Sequence, residues 1–288
     1  MQSRKVTRTT LIPWLLVAMT AIPALAHEPE ADEQTLDEVM AGKGISDRFH
    51  IQLGGYFPEL ESRVALSPSG IGAGTAINLE ELLDLENREK LFRLKGYWRF
   101  GLKHRFDFGW YDVDRSSSGT VDEEFQWGDE TITVDSFVDS TFKTGVLSAL
   151  YGYSMVHNSR IESGVSIGIS GLDFSASLFA EDNTTGETLG DEGSIFVPLV
   201  VVGYYSSVTL KPKWFFEYYL NAFTGSYDGY SGTLVDFGIS SSYYPTKHFG
   251  FGFGYDGYAI DVGIDKEDFS GSIEYTNRGF NAFLVGVF

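Results

Sequence analysis

The sequence predicts an all-β chain: a transmembrane, antiparallel, up-and-down β-barrel of about ten strands, with eight or twelve as the alternatives. Aromatic residues make up 15% of the 288 residues, beside 33 glycines, a composition that suits strands and turns more than helices. Segments in which apolar and polar residues alternate follow one another along most of the chain. The connections between them tend to be alternately short and long, as in barrels with tight turns on one side of a membrane and long loops on the other.

Residues 1–47 are expected to precede the barrel. A basic start is followed by the apolar segment 11–23 and by Ala24-Leu25-Ala26, the small-residue pattern of a signal-peptide cleavage site. We therefore expect a signal peptide over 1–26, cleaved after Ala26. The alternative, an uncleaved membrane anchor, would need about 20 apolar residues to span a bilayer. Residues 27–47 are polar and acidic and predict a short periplasmic arm.

Charge and cysteine content narrow the class of protein. All 40 Asp and Glu follow residue 26, whereas three of the 21 Lys and Arg precede it, so cleavage changes the net charge from −19 to −22. Such a charge argues against nucleic acid as a partner, because phosphate backbones are bound by clusters of Lys and Arg. The chain has no cysteine, which excludes disulfides, thiolate metal sites and a lipidated Cys. No motif indicates a cofactor.

Within the predicted barrel domain, 48–288, ten segments have a period of two. In chain order they are 48–57, 88–100, 103–115, 139–155, 160–180, 194–208, 213–224, 231–243, 248–263 and 271–288. Each is long enough to cross a bilayer as a tilted strand, which takes about 9–11 residues. The longest apolar run, 195–205, has 11 residues and is too short for a spanning helix.

The alternation is clearest in three stretches. In 92–100 (FRLKGYWRF) one face is apolar and the other is mostly basic. In 103–111 and 213–221 rows of aromatic residues oppose charged ones in the same way. A soluble barrel or sandwich buries such an apolar face, whereas a transmembrane barrel turns it towards lipid and its polar face inward. The alternation itself fits both.

The connections favour the membrane form. Basic residues lie in or beside the short connections, which are 101–102, 157–159, 209–212 and 244–247. Asp and Glu are frequent in the long connections, which are 58–87, 116–138 and 181–193. A soluble sandwich has no reason to separate both length and charge between its two ends. Membrane barrels do separate loop length in this way.

The last predicted strand ends on Phe288, after the alternating apolar residues Phe280 and Leu284. This ending resembles the terminal signature of bacterial outer-membrane β-barrel proteins, a Gram-negative class that includes porin-like proteins, although the small residues Gly286 and Ala282 depart from it. The resemblance implies a location in the cell outer membrane and contact with its lipid and lipopolysaccharide. It also implies that the barrel assembly machinery recognises the C-terminal strand.

The faces assigned inward carry the residues that we expect to line the lumen: Arg93, Lys95, Arg99, Arg105, Asp107, Glu162, Glu217 and Asn221. Charges in a narrow interior must pair, so these residues predict either a network of salt bridges or a narrow passage for small solutes. We expect the glycines at 250, 252 and 254 to widen the lumen locally. The aromatic residues expected at the membrane interface are Trp98, Trp110, Trp214, Tyr218 and Phe288.

The first long connection contains a helix signal. Asn78 can cap a short helix with Glu81 at its third position, and Ile77 can pack against Leu82. We expect this helix to fold onto the barrel mouth as a lid, with packing on the membrane or on neighbouring loops as the alternative. The acidic loops can bind divalent cations, but no stretch matches an established calcium motif, and no metal ligand is assigned.

The sequence does not match the catalytic sites of known outer-membrane barrel enzymes. Omptin proteases carry an Asp pair and an Asp–His pair at the outer rim, but the five His of this chain are placed in the arm, at the foot of the first strand or at short turns: 27, 50, 104, 157 and 248. His157-Asn158-Ser159 has the spacing of lipid A deacylases but fills a turn. We therefore predict no catalytic residue and a non-enzymatic role, as a structural barrel or a narrow conduit. Surface binding or adhesion through the acidic loops is one alternative, and a hydrolase of the protease or deacylase type is another.

Overall fold

The structure is a computed structural model that describes residues 48–68, 77–127, 130–158, 160–181, 186, 188–211, 213–227, 230–266 and 269–288. The predicted signal peptide, 1–26, and the predicted arm, 27–47, lie outside the described residues. In the part of the chain that is described, no helix has the length and apolar character needed to cross a membrane.

The described residues form thirteen strands and one short helix. The strands are β1 (Phe49–Pro68), β2 (Ile77–Asn78), β3 (Leu91–Arg99), β4 (His104–Thr120), β5 (Phe125–Trp127), β6 (Glu130–Ile132), β7 (Phe137–His157), β8 (Ile161–Glu181), β9 (Thr188–Lys211), β10 (Trp214–Tyr227), β11 (Tyr230–Tyr243), β12 (Phe249–Lys266) and β13 (Phe269–Val287), and the helix is α1 (Leu79–Leu82). All ten segments predicted from their period of two are strands. Most are longer than predicted at the end where the long connections begin.

Ten of these strands close into a barrel. Each pairs antiparallel with its neighbours in the order β1, β3, β4, β7, β8, β9, β10, β11, β12, β13, and β13 pairs with β1 from His50 to Pro68. Strand β2 adds two residues beside β1, and β5 and β6 form a separate hairpin. The predicted fold class, an antiparallel up-and-down barrel of ten strands, is confirmed.

The register of the pairs fixes the tilt of the strands. A path that follows paired residues around the barrel from Phe49 returns to β1 at Glu61, a displacement of twelve residues. With a rise of about 3.3 Å per residue and about 4.8 Å between strands, this displacement corresponds to a tilt of about 40°. Transmembrane barrels have strand tilts of this size.

The connections separate by length between the two ends. The short-turn end joins β3 to β4, β7 to β8, β9 to β10 and β11 to β12, and there Phe288 exchanges two backbone hydrogen bonds of 2.9 Å with Phe49. The opposite end, the long-loop end, holds the connections from β1 to β3 and from β4 to β7. The predicted long connection 181–193 is mostly strand, because β8 continues to Glu181 and β9 begins at Thr188.

The outer surface changes character along the strands. Beside the short turns, a band of exposed apolar side chains surrounds the barrel. The band ends where outward side chains become charged: after Phe57 on β1, after Trp110 on β4 and after Phe280 on β13. We call the part of the barrel within this band the short-turn half and the part beyond it the long-loop half.

The inner surface changes in the opposite sense. In the short-turn half the buried inward residues are largely polar, as with His50, Arg99 and Glu162. In the long-loop half an apolar core fills the interior, with contributions from β1, α1, β4, β7, β8 and β12. The two halves therefore have opposite polarity, one apolar outside and polar inside, the other polar outside and apolar inside.

Strand β9 is the longest strand, and its two edges are paired unequally. Its pairing with β8 begins at Thr188, whereas its pairing with β10 covers only the part from Val202 to Lys211. Beyond Ala222, β10 pairs with β11 and with no other described strand. Residues 188–201 of β9 therefore have one edge with which no described strand pairs.

Candidate functional site in the barrel interior

The first polar cluster of the interior surrounds Glu162, close to the short turns. This side chain is 0% exposed, and its Oε2 accepts a hydrogen bond of 2.7 Å from Arg99 Nη2. Its Oε1 accepts one of 2.6 Å from Ser154 Oγ, while Arg105 Nη1 and His157 Nδ1 each lie 3.8 Å away. A buried carboxylate is tolerated here because charged and hydrogen-bonding partners surround it. We call this group the Glu162 cluster.

Arg105 connects the Glu162 cluster to the neighbouring inward side chains. Its Nη2 pairs with Asp107 Oδ1 at 2.9 Å, and its Nε donates to the other carboxylate oxygen at 3.0 Å. The guanidinium carbon lies 3.4 Å from the ring centroid of Tyr205 and 4.8 Å from that of Tyr97. Contacts on a carboxylate and two rings hold the arginine across the lumen.

A second polar cluster is centred on Asp256, further from the short turns. Arg93 Nη1 lies 2.8 Å from Asp256 Oδ2, and Lys95 Nζ lies 3.1 Å from Oδ1. Asn281 also donates to this carboxylate. One acid on β12 thus gathers two cations from β3 across the interior, and we call this group the Asp256 cluster.

Asp236 extends the Asp256 cluster around the wall. Its Oδ2 accepts a hydrogen bond of 3.0 Å from Asn221 Nδ2. The hydroxyl of Tyr219 lies 3.1 Å from Asp236 Oδ1 and 2.8 Å from Asp256 Oδ1, and its single proton can be donated to only one of them at a time. The Lys95 ammonium lies 4.0 Å from the centroid of the Tyr219 ring, a cation–π distance.

The open volume among these side chains is small. A cavity of about 150 Å³ is lined by residues of both clusters, and by Gln52 and Glu217. Gln52 Nε2 donates to Glu217 Oε2 at 3.2 Å. The cavity has room for several water molecules, but it is below the range of about 300–1,000 Å³ that is typical of small-molecule pockets.

Helix α1 lies in the apolar core at the long-loop end of the interior. Asn78 caps it, because its Oδ1 accepts hydrogen bonds of 3.1 Å and 3.4 Å from the backbone amides of Glu80 and Glu81. Leu79 is 0% exposed and belongs to the same core as Leu60 and Phe142 of the wall. The predicted cap and the predicted packing of the helix at the barrel mouth are confirmed, and the helix is inserted into the mouth.

A buried ion pair holds α1 to the wall. Glu80 Oε1 pairs with Arg115 Nη1, and Glu80 Oε2 accepts a hydrogen bond of 2.8 Å from the backbone amide of Ser62. Arg115 Nη2 also donates to Ser62 Oγ at 2.7 Å. The helix is therefore fixed by apolar packing and by a charged contact to two strands.

The eight residues predicted to line the lumen all project to the inner side of the barrel. Six of them also line the cavity: Arg93, Lys95, Arg105, Asp107, Glu217 and Asn221. The other two, Arg99 and Glu162, are buried and paired with each other. Of the five aromatic residues predicted at the interface, Trp98, Trp110, Trp214 and Phe288 are exposed on the outer surface. Tyr218 is half-buried, with its ring centroid 6.0 Å from that of Tyr204.

Sequence reasoning missed the acids at the centre of the second cluster. Asp256 stands on the same face as Gly250, Gly252 and Gly254, so the alternation continued by one step would have placed it inward. These glycines do not widen the lumen as predicted, because neighbouring side chains fill the space: Val285 beside Gly250, Phe283 beside Gly252 and Asn281 beside Gly254. Nothing in the sequence pairs Arg115 with Glu80, since the two lie on different elements.

Among the described residues, the histidines lie apart from the outer carboxylates. His50, His104, His157 and His248 all lie at the short-turn end, and His27 lies outside the described residues. Asp112 is exposed on the outer surface at the border of the apolar band, eight residues along β4 from His104. Among the described side chains, no group of three His, Asp or Glu is arranged to hold a metal ion.

No family model matches the sequence. No curated protein matches it either. Among solved structures, the outer membrane protease OmpT of Escherichia coli is similar with a TM-score of 0.51 and 9% identity, over 83% of this chain and 97% of that one. The toluene transporter TodX of Pseudomonas putida has a TM-score of 0.35 and 8% identity, over 88% and 92%. The attachment invasion locus protein Ail of Yersinia pestis has a TM-score of 0.26 and 11% identity, over 82% and 99%.

The closed ten-stranded sheet and the apolar band agree with the first of these likenesses. This chain has the fold of a bacterial outer-membrane β-barrel. At 9% identity the likeness to OmpT concerns the fold alone. From the short-turn end to the long-loop end, the interior of this barrel is occupied by two polar clusters and then by an apolar core.

Proposed function

We propose that this chain is a non-enzymatic outer-membrane barrel with a closed interior, which contributes to the integrity of the envelope. The supporting observation is that three groups of side chains block the lumen one after another. The Glu162 cluster, the Asp256 cluster and the apolar core around α1 follow one another from the short-turn end to the long-loop end. A solute would have to displace all three.

The energetics of the charged clusters favour closure over a narrow conduit. Separating a buried ion pair costs roughly 3–5 kcal/mol, because one charge remains without a partner in a poorly hydrated interior. Glu162 and Arg99 are almost completely buried, and Asp256 has two cationic partners. Barrels of about eight strands are filled by their own side chains, whereas open porins have 16–18, and ten strands lie near the filled end of this range.

The surface supports a transmembrane orientation with the short turns towards the periplasm. The apolar band would contact lipid, and the charged outer face of the long-loop half would contact the lipopolysaccharide and the medium. The C-terminal strand β13, which closes the barrel against β1, would be the strand that the assembly machinery recognises. Acidic loops at the long-loop end would then face the medium, where divalent cations are available to them.

Planar-bilayer recording tests the closed interior. The refolded full chain is inserted into a bilayer, and an open porin inserted by the same procedure serves as the positive control. We expect no discrete conductance steps from this chain, whereas the porin gives them. Reproducible steps from this barrel, with an ion selectivity that changes in Glu217→Gln, would establish a conduit and overturn the proposal.

A further inference from the structure

Residues 188–201 of β9 offer a backbone edge that is ready to pair with another chain. Among the described residues they pair with β8 alone, because the pairing of β9 with β10 begins only at Val202. Fourteen residues of strand are about 46 Å long at a rise of about 3.3 Å per residue. Alternate residues of a strand direct their N–H and C=O groups to the same side, so about seven residues face the uncovered edge. We call this stretch the β9 edge.

Proteins usually protect such an edge, and a proline is one means of doing so. Pro198 lies within the β9 edge and pairs with Gly171 of β8. Proline is tolerated within a sheet where its missing N–H would face away from the ladder. Pro198 therefore directs its nitrogen to the uncovered side, where one donor is missing. The neighbouring residues of the same parity, Ser194, Phe196 and Val200, retain theirs.

The outward side chains from Phe196 to Val200 provide an apolar surface on part of the β9 edge. Phe196 is 54% exposed and Val200 is 58% exposed, both on the outer side. Phe196 covers the backbone of Gly171 on β8, where a larger residue would collide with its ring. Alternate residues of an added strand would therefore lie beside exposed apolar side chains from Phe196 to Val200, as in β-strand addition, and beside polar or small residues nearer Thr188.

The acidic residues near the β9 edge favour a basic partner. The sequence contains no Lys, Arg or His between residues 161 and 210, or between 214 and 243. The same part of the chain carries five carboxylates within twelve residues: Glu181, Asp182, Glu187, Asp191 and Glu192. Glu192 lies on the β9 edge itself and is exposed. Glu181, which pairs with Thr188 at the start of β9, is exposed as well, so these two carboxylates attract an approaching cationic chain and repel an anionic one.

We propose that the β9 edge binds an extended cationic peptide, or a cationic extended segment of a protein, as an added β-strand. A second copy of this chain would be a poorer occupant, because it would bring the same acidic residues 181–192 to the edge and repulsion would oppose pairing. The inference goes beyond the closed interior and does not depend on it. Peptide binding is measured on the purified barrel and conductance in a bilayer, so failure of one leaves the other intact.

The test uses the refolded full chain in zwitterionic detergent and two labelled ten-residue peptides, one alternating valine and lysine, the other alternating valine and glutamate. Fluorescence anisotropy measures affinity, and amide hydrogen exchange read by mass spectrometry locates the protected residues. We expect saturable binding of the lysine peptide, at least about tenfold weaker binding of the glutamate peptide, and new protection confined to residues 188–201.

Two variants separate strand addition from general charge attraction. Ser194→Pro removes a donor on the side that Pro198 already faces, so pairing with β8 is retained and affinity for the lysine peptide should fall about tenfold. Ser194→Thr retains the donor and should bind as the parent does. Glu192 is exposed, and Glu192→Lys should lower the affinity for the lysine peptide several-fold. Heat-modifiable migration on a denaturing gel, which reports the folded barrel, should be unchanged in this variant.

Three results would overturn the proposal. The first is equal affinity of Ser194→Pro and Ser194→Thr, with both variants folded, because binding would then not use the backbone edge. The second is protection at residues outside 188–201. The third is a concentration-dependent dimer of the parent chain that Ser194→Pro abolishes, because a second copy would then be the occupant of the edge.

Discussion

The short-turn half and the long-loop half of this barrel share the same strands but have opposite polarity inside and outside. In the short-turn half the outward side chains are apolar, and the inward ones form the Glu162 and Asp256 clusters. In the long-loop half the outward side chains are charged, and the inward ones form a core like that of a soluble protein. On β1 the change occurs between Phe57 and Leu60 within a few residues.

Because the same strands run through both halves, the surroundings of the barrel, and not the strand itself, determine which face of the sheet is apolar. Lipid accepts apolar side chains at no cost, so the short-turn half has to bury its polar residues with partners. Water removes that constraint in the long-loop half, where burial of apolar surface again stabilises the interior. Where a strand passes from the short-turn half to the long-loop half, its outward face changes from apolar to polar and its inward face from polar to apolar.

The largest expected effect is the loss of a side chain from the long-loop core. Phe142 is 0% exposed and packs beside Phe174, with ring centroids 6.3 Å apart. We expect Phe142→Ala to lower the free energy of unfolding by about 4 kcal/mol, because it leaves a cavity in a packed apolar core. Urea unfolding of the barrel in phospholipid vesicles, followed by tryptophan fluorescence, measures the change.

Phe137→Ala on the same strand is the matched control. Phe137 is exposed on the outer surface, so its loss should cost less than about 1 kcal/mol. Equal costs for the two changes would show that the long-loop half has no apolar core of its own, and the contrast between the halves would fail.

The next effect tests the interior of the short-turn half. Glu162→Gln keeps the shape of the side chain but leaves Arg99 and Arg105 buried beside a neutral amide. We expect a loss of about 3 kcal/mol in the free energy of unfolding, measured in the same vesicles. Glu59→Gln provides the comparison, because Glu59 is half exposed and lies 3.8 Å from Arg88, and exposed pairs contribute less than about 1 kcal/mol. A Glu162→Gln barrel as stable as Glu59→Gln would mean that the cluster is solvated.

The smallest effect concerns the outer surface on a single strand. Ile167 and Ser177 both project outward from β8, the first within the apolar band and the second beyond it. Ile167→Arg should destabilise the barrel in phospholipid vesicles by about 2 kcal/mol, because it places a charge in lipid. Ser177→Arg should leave stability within about 0.5 kcal/mol of the parent. If both arginines were tolerated equally, the apolar band would not be the surface that faces lipid.

Much of the fold could be predicted from alternation and connection length, since side chains of a strand project to alternate faces whatever the surroundings. The ten strands, the short-turn end and the cap at Asn78 are all local features of the sequence. The lumen residues of β3 and β4 could be assigned from the same alternation. Their partners could not, because Asp256 stands more than 150 residues away from Arg93 and only the closure of the barrel brings them together.

The strands, the two faces of each strand and the class of barrel follow from period, turn chemistry and strand length, which are local properties of the chain. Three further features depend on the folded barrel: which charges meet in the lumen, how α1 inserts into the mouth, and where the pairing of β9 with β10 ends. All three depend on how the closed sheet is staggered. The stagger is a relation between strands far apart in the chain, and no single segment encodes it.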